Sequence, residues 1–227
     1  MEKYKYIDLF AGAGGMSLGF DKAGFENVLA VEYDECFAET YKFNFPDHNL
    51  RVEDIKNISN DEIKEIIGNN KIDVIIGGPP CQGFSIAGRI GRNFIDDERN
   101  QLFKEFVRFV NVIKPKIFVM ENVAALKTHN KGKTIEEIVN EFENVGYTVK
   151  YDVLNAVNYG VPQQRRRIFI IGTLDENNKF EFPKKTNKYI TIEEALKGLP
   201  ELKSGETSNI PNHNAMHHSK QMLEKMS

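Results

Sequence analysis

The chain has 227 residues, a formal net charge of −3 and 41% hydrophobic residues, as expected for one well-packed globular domain or a domain with a tail. No run approaches the roughly 18 to 20 apolar residues that span a bilayer, and the first residues lack the apolar region of a signal peptide, so we predict a cytoplasmic protein. The small negative charge disfavours indiscriminate binding to polyanions, although basic residues cluster locally.

Short apolar runs typical of strands alternate with segments of helical periodicity along most of the chain. The predicted strands are 4–10, 28–31, 49–52, 72–76, 116–120, 148–154 and 167–171, and the predicted helices are 16–23, 34–45, 60–67, 100–113, 134–145 and 191–196. This alternation predicts an α/β fold with a doubly wound, mostly parallel sheet. The pattern weakens afterwards, so we predict one domain over 1–174 and a separate segment over 175–227.

Two features follow the first two strands, where an open α/β sheet binds its ligands. The glycine turn 11–15 has little side chain and would let backbone N–H groups approach a ligand. Its spacing differs from Gly-x-Gly-x-x-Gly, so a pyrophosphate is not required and a purely structural turn remains an alternative. Glu32 ends the second strand, where a carboxylate can accept hydrogen bonds from ribose hydroxyls, unless it is only a solvated charge.

The strand 72–76 leads into the most informative stretch, Gly77-Gly78-Pro79-Pro80-Cys81-Gln82-Gly83-Phe84-Ser85. Its prolines stiffen the backbone before Cys81, and its glycines allow close approach. An isolated cysteine in such a loop is usually incidental, so the sequence around it makes Cys81 a candidate nucleophile. Cys36, the other cysteine, is expected in the core, because with Phe37 and Tyr41 it lies on or near the apolar face of the helix 34–45, whose predicted N-cap is Asp34. Both cysteines should stay reduced in the cytoplasm. The polar stretch 85–99 is interpreted as a mobile loop that could close over a substrate.

Later strands bring further reactive groups to the same predicted edge of the sheet. Glu121 follows the strand 116–120, and Arg165 and Arg167 follow the strand 148–154. A thiolate, a carboxyl group and guanidinium groups together suit attack on an electron-poor heteroaromatic ring. Three histidines near the end of the chain, His213, His217 and His218, lack partners in metal-ligand spacing, so we predict no metal site.

Several motifs that occur in unbroken order over residues 4 to about 173 resemble the DNA (cytosine-5)-methyltransferases, which use S-adenosylmethionine and release S-adenosylhomocysteine. They are Asp8-Leu9-Phe10-Ala11-Gly12-Ala13-Gly14-Gly15, Glu32, Asp54, the stretch from Gly78 to Ser85, Glu121-Asn122-Val123 and Gln163-Gln164-Arg165-Arg166-Arg167. The resemblance implies a Rossmann-like methyltransferase fold with an antiparallel last strand. The family's target-recognition region and C-terminal motifs are not recognisable, so 175–227 would lead toward a missing region.

The resemblance also implies roles for individual residues. Cys81 would attack C6 of a cytosine flipped out of double-stranded DNA, Glu121 would bind N3, and C5 would accept the methyl group. Arg167 would hold the cytosine O2, and Arg165 would support the closed loop or a phosphate. The implied cofactor contacts are Phe10, Gly12, Gly14, Glu32, Asp54, Pro80 and Leu102. The implied DNA contacts are Gln82, Ser85, Arg89, Arg92 and Gln163.

Some alternatives remain open at this point. The substrate could be a tRNA cytosine, since one branch of the family modifies tRNA. The chain could also be a truncated enzyme, one subunit of a split methyltransferase, or a subunit without catalytic activity. A nicotinamide-dependent oxidoreductase is disfavoured by the glycine spacing. We expect a bacterial-type restriction-modification or DNA modification system, with a second subunit as a possible partner and no membrane.

Overall fold

The computed structural model describes residues 3–80, 101–175, 180–186 and 188–226. The chain forms two compact units, one of Met1–Asn155 with Gln164–Lys185 and one of Ala156–Gln163 with Thr186–Ser227. The predicted division into 1–174 and 175–227 stays a prediction. Several predicted site residues, together with the predicted mobile loop, lie outside the described residues: Cys81, Gln82, Ser85, Arg89 and Arg92.

A seven-stranded sheet forms the centre of the first unit. Its strands are β1 (Lys5–Leu9), β2 (Glu26–Glu32), β3 (Leu50–Val52), β4 (Val74–Gly77), β5 (Ile117–Val123), β6 (Thr148–Asn155) and β7 (Arg166–Thr173). Their order is β3-β2-β1-β4-β5-β7-β6, with β1 to β5 paired in parallel and β7 antiparallel to both of its neighbours. The predicted mostly parallel sheet with an antiparallel last strand is confirmed.

The helices of the first unit are α1 (Gly15–Lys22), α2 (Glu35–Asn44), α3 (Asn60–Ile67), α4 (Gln101–Ile113) and α5 (Lys133–Asn144). The second unit contains α6 (Ile192–Leu196) and α7 (Lys220–Met226), of which α7 was not predicted. In the part of the chain that the structure describes, no helix is both long enough and apolar enough to cross a bilayer.

Helices pack on both faces of the sheet, as a doubly wound fold requires. On one face Tyr6 and Ile76 pack with Phe20 of α1, and Ala30 packs with Tyr41 of α2. On the other face the main core cluster joins the strands to α3, α4 and α5, through Ile75, Phe118, Ile63, Phe106 and Phe142. The two-sided burial explains why the parallel strands are short continuous apolar runs rather than alternating ones.

Local signals fix the ends of two helices as predicted. The Asp34 carboxylate accepts hydrogen bonds from the N–H groups of Cys36 and Phe37 and so caps α2. At the start of α3, Ser59 and Glu62 form a reciprocal capping box. These interactions involve only neighbouring residues, so the sequence predicts the Asp34 cap and the start of α3, although the capping box itself was not predicted.

Two sequence expectations are wrong. Cys36 is exposed rather than in the core, because α2 turns Ala38 and Tyr41 toward the sheet instead. Glu121 and its two successors belong to β5 instead of following it, because β7 pairs with β5 along its whole length, opposing Phe169 to Glu121 and Arg167 to Val123. That pairing joins residues more than 40 positions apart, so no local pattern reveals it.

Candidate active site

A cavity of about 550 Å³ opens at the carboxyl ends of β1, β2, β3 and β4. Six of the seven residues predicted to contact a cofactor line it: Phe10, Gly12, Glu32, Asp54, Pro80 and Leu102. The remaining lining residues are Val31, Tyr33, Phe37, Glu53, Ile55, Lys56 and Gly78. Residues from distant parts of the sequence therefore share one cavity because parallel strands end at the same edge.

Glu32 is a nearly buried carboxylate whose orientation is fixed by two backbone groups. Only 9% of the residue is exposed. One carboxylate oxygen accepts the Gly12 N–H at 2.7 Å, and the other accepts the Asp34 N–H at 2.8 Å. Each oxygen has a second lone pair, so Glu32 can still accept hydrogen bonds from a ligand in the cavity.

The turn after β1 has a backbone that ordinary side chains disfavour. Phe10, Gly12 and Gly14 all have positive φ angles, of 60°, 56° and 90°. For Phe10, whose ring lines the cavity, this conformation is strained, and such strain is typical of functional sites. Gly14 does not line the cavity, since a Cβ at that position would overlap the ring of Phe45. Its predicted cofactor contact stays a prediction.

Asp54 caps a short 3-10 turn, Ile55–Asn57, on the wall of the cavity. Its carboxylate accepts the Lys56 N–H at 3.0 Å and forms an ion pair with the Lys56 ammonium group at 3.2 Å. Glu53, beside it, forms an ion pair with Arg51 at 3.1 Å. The wall thus presents acidic side chains that are held in place by basic partners.

Two exposed aromatic residues of the cavity were not predicted from the sequence. Tyr33 is 73% exposed and Phe37 is 52% exposed, yet both line it. Tyr33 directly follows Glu32, so its position at a strand end was the available signal. Phe37 was interpreted as part of the apolar face of its helix, and no sequence signal separates that role from a cavity wall.

Glu121 and Arg167, which are predicted to be catalytic, form an ion pair. Arg167 Nε donates to Glu121 Oε1 at 2.8 Å, and about a quarter of each side chain is exposed. The other oxygen of Glu121 lies near Gly78, where a Cβ would be 3.4 Å from it. The carboxylate therefore lies beside the segment that leads to Cys81. Arg165 is exposed.

Asn122 connects β5 to the proline segment before Cys81. The residue is 5% exposed, and its side-chain amide donates to the Pro79 carbonyl at 3.0 Å. The side-chain oxygen of Asn122, Oδ1, accepts the Val123 N–H at 2.8 Å. A buried amide with both ends engaged holds the backbone firmly where the nucleophile-bearing segment begins.

A buried carboxyl group lies beneath the glycine turn. Asp8 is 1% exposed and accepts a 2.6 Å hydrogen bond from the Ser17 hydroxyl, which also contacts the Tyr41 hydroxyl at 2.8 Å. Among the described residues, Asp8 Oδ1 has no hydrogen-bond partner. Burial raises the pKa of Asp8 to about 7, with a smaller contribution from the negative charge of Glu32.

Gln163 belongs to the second unit, where its N–H donates to the Val161 carbonyl at 2.8 Å. In the same unit His213 contacts the Ser208 hydroxyl at 2.9 Å. Within the described ranges, no three or more His, Cys, Asp or Glu residues are grouped so as to hold a metal ion.

Comparisons with known proteins identify the family of this chain. Residues 4–227 match the family model of the C-5 cytosine-specific DNA methylases. The chain is 56% identical over 223 residues to the Type II methyltransferase M1.HphI of Haemophilus parahaemolyticus, covering 98% of this chain and 60% of that protein. It is 40% identical over 227 residues to the Type II methyltransferase M.AquIA of a Picosynechococcus strain, covering 88% of this chain and 90% of that protein.

A solved structure supports the same relationship. An E. coli DNA modification methyltransferase encoded within a prophage superposes with a TM-score of 0.74 at 35% identity, covering 89% of this chain and 57% of that one. The chain spans 60%, 47% and 50% of the length of three curated relatives that it matches.

Proposed function

Because the chain belongs to the C-5 cytosine-specific DNA methylase family, we propose that it is the catalytic part of an enzyme that methylates C5 of cytosine in double-stranded DNA, using S-adenosylmethionine. The observation that carries the proposal is the cavity at the carboxyl edge of the sheet, next to the Glu121–Arg167 ion pair. Since the chain spans only part of most of these relatives, the activity is proposed for the complete methyltransferase.

The cavity fits the cofactor in size and chemistry. Its volume of about 550 Å³ lies within the range of roughly 300 to 1,000 Å³ found for small-molecule sites. Glu32 would accept from the ribose hydroxyls, Asp54 from the adenine amino group, and Phe10 would contact the adenine ring. Pro80 and Leu102 would supply apolar wall.

The start of α1 offers a site for the carboxylate of the methionine part. Gly14 is the N-cap of this helix and provides no side-chain cap, and the helix N-terminus would attract an anionic group. Gly12, which lines the cavity, would leave room for that part of the molecule, and Gly14 would contact it through its backbone. When bound, the cofactor supplies an electrophilic methyl carbon.

The remaining steps use side chains of this chain. The Cys81 thiolate would form a bond from Sγ to C6 of the flipped-out cytosine while Glu121 gives a proton to N3, so that electron density accumulates at C5. After C5 has accepted the methyl group, loss of the C5 proton to water would expel the Cys81 thiolate and restore the C5–C6 double bond, and the proton on N3 would return to Glu121. Arg167 would stabilise the Glu121 carboxylate once the proton has left it and would hold the cytosine O2.

The names of the relatives support a proposal about the biological system in which the enzyme acts. Several are named Type II methyltransferases, and one of them, M.AquIA, is 90% covered by this chain. We therefore propose a role in a restriction-modification system in the cytoplasm, with the recognised DNA sequence set by a region outside this chain. That region would be a further segment or a second subunit.

The test is transfer of labelled methyl groups by the complete methyltransferase, offered either double-stranded DNA or tRNA. We expect label in DNA, at C5 of cytosine, and none after Cys81→Ser. Label in tRNA alone would favour the tRNA alternative. Full activity of the Cys81→Ser enzyme would contradict the mechanism, and failure of the wild-type chain to form an adduct with DNA containing 5-fluorocytosine would favour a non-catalytic subunit. We expect residues 1–227 alone to bind cofactor weakly and to methylate poorly.

A further inference from the structure

Arg108 of α4 connects three parts of the first unit through one guanidinium group. Its Nε and Nη2 donate to the carboxylate of Glu105, one turn earlier in the helix. Nη1 donates to the Asn60 side-chain oxygen at 2.8 Å, and Nη2 also donates to the Ile55 carbonyl at 3.0 Å. The group therefore joins α4 to the start of α3 and to the 3-10 turn that follows Asp54.

The contacts leave the guanidinium little freedom. About three quarters of the Arg108 side chain is covered, since 24% of it is exposed, and Glu105 is 20% exposed. A guanidinium group is planar and presents five donors in fixed directions, so a carboxylate on one side determines where the remaining donors point. Glu105 thus aims Arg108 at the Ile55 carbonyl.

The bridged elements form opposing parts of the proposed cofactor cavity. Asp54, Ile55 and Lys56 line it from the 3-10 turn, and Leu102 lines it from the first turn of α4. Leu102 and Arg108 are six residues apart on one helix, which corresponds to about 9 Å along its axis. Arg108 itself does not line the cavity, so any influence on a ligand must pass through the turn.

We infer that Arg108 is a positioning residue that holds the turn carrying Asp54 at the place where its carboxylate meets the adenine amino group. This inference rests on the proposed function. Without the guanidinium, the Ile55 carbonyl keeps, among the described residues, the Ile58 N–H at 3.3 Å, and the turn is no longer connected to α4 through this side chain. The Asp54 carboxylate then loses its defined position relative to Leu102.

A purely structural role for Arg108 predicts a different result. In that case its removal would lower the stability of the fold and weaken all ligands of the cavity equally. A positioning role predicts a selective loss that depends on the group Asp54 contacts. S-inosylhomocysteine differs from S-adenosylhomocysteine by a carbonyl oxygen in place of the amino group, so it cannot donate that hydrogen bond to Asp54.

The experiment is calorimetric titration of the complete methyltransferase with both ligands. Arg108→Met keeps the length of the side chain and removes every donor. Its dissociation constant for S-adenosylhomocysteine should rise about tenfold, as expected when the hydrogen bond from the adenine amino group to the charged Asp54 carboxylate is weakened, while that for S-inosylhomocysteine should change less than threefold. Arg108→Lys retains the charge and should show a smaller loss of the same selective kind, and it replaces Arg108→Met if that variant does not fold.

The matched control is Ile138→Val in the core of α5, which lowers stability without touching the cavity. It should leave the ratio of the two dissociation constants unchanged. If the Arg108 variants behave like this control, or weaken both ligands by the same factor, the positioning role is refuted. Failure of the complete wild-type methyltransferase to bind S-adenosylhomocysteine would instead refute the proposed function.

Discussion

The unfolding free energy of an Asp8→Asn variant, measured relative to that of the wild type, should be higher at pH 8 than at pH 5. The carboxyl group is buried at 1% exposure and accepts a hydrogen bond from the Ser17 hydroxyl. Burial disfavours its charged form and raises its pKa to about 7. Asparagine has the same shape, cannot ionise, and keeps an oxygen to accept from Ser17.

The sign and size of the effect follow from the two pKa values. An unfolded aspartate has a pKa of about 3.9, so between pH 4 and pH 7 the folded state binds more protons, and stability falls as the pH rises. The full difference between the folded and unfolded pKa values corresponds to about 4 kcal/mol of unfolding free energy, at about 1.4 kcal/mol per pKa unit. From pH 5 to pH 8 the wild type should lose about 3 kcal/mol that the Asp8→Asn variant keeps.

The substitution also destabilises the protein by an amount that does not depend on pH, and this does not change the comparison between pH 5 and pH 8. The amide nitrogen of the variant would face the position of Asp8 Oδ1, which has no hydrogen-bond partner among the described residues, and an unsatisfied buried donor costs about 1 to 3 kcal/mol. That cost is the same at every pH. The neighbouring side chains Asp21, Glu32 and Tyr41 are the same in both proteins, so their contributions largely cancel in the difference.

The assay is urea unfolding of both proteins at pH 5, 6, 7 and 8, with the difference in unfolding free energy plotted against pH. The control is Asp47→Asn, at an exposed turn residue, whose effect should be small at each pH. A difference between wild type and Asp8→Asn that stays constant from pH 5 to pH 8 would refute the argument, because Asp8 would then have the same pKa folded and unfolded.

Three further predictions concern packing and the candidate active site. Gly172→Ala should destabilise the fold by about 1 to 3 kcal/mol in urea unfolding, because a Cβ there would overlap the ring of Phe118. Asn122→Ala should slow adduct formation by Cys81 on DNA containing 5-fluorocytosine, because it frees the proline segment, while binding of S-adenosylhomocysteine stays near the wild-type value. Glu121→Gln in the complete methyltransferase should lower kcat about 10²- to 10⁴-fold, the usual contribution of a general acid, without weakening cofactor binding.

Each of these has an outcome that would count against it. Wild-type stability of Gly172→Ala would mean that Phe118 can move aside at little cost. For Asn122→Ala, equal losses in adduct formation and cofactor binding would indicate general unfolding rather than loss of the contact to Pro79. Unchanged turnover of Glu121→Gln would remove Glu121 from the proton transfer.

The sequence by itself determined the features that depend on neighbouring residues and on the alternation of elements. Asp34 caps α2 as predicted, and α3 spans Asn60–Ile67 as predicted, because these ends are set within a few residues. The doubly wound sheet follows from strands that alternate with helices, and that topology alone brings Glu32 and Asp54 to one cavity.

Only the tertiary structure decided which side chains meet across long sequence distances. The pairing of β5 with β7 extends the strand through Glu121 and brings Arg167 to it, although 46 positions separate the two residues. Burial of Asp8, and the contact of Arg108 with the Ile55 carbonyl, likewise depend on how packed layers cover particular atoms. Local sequence preferences do not predict these contacts, because the energy of each contact arises only when distant segments pack together and exclude water from the groups involved.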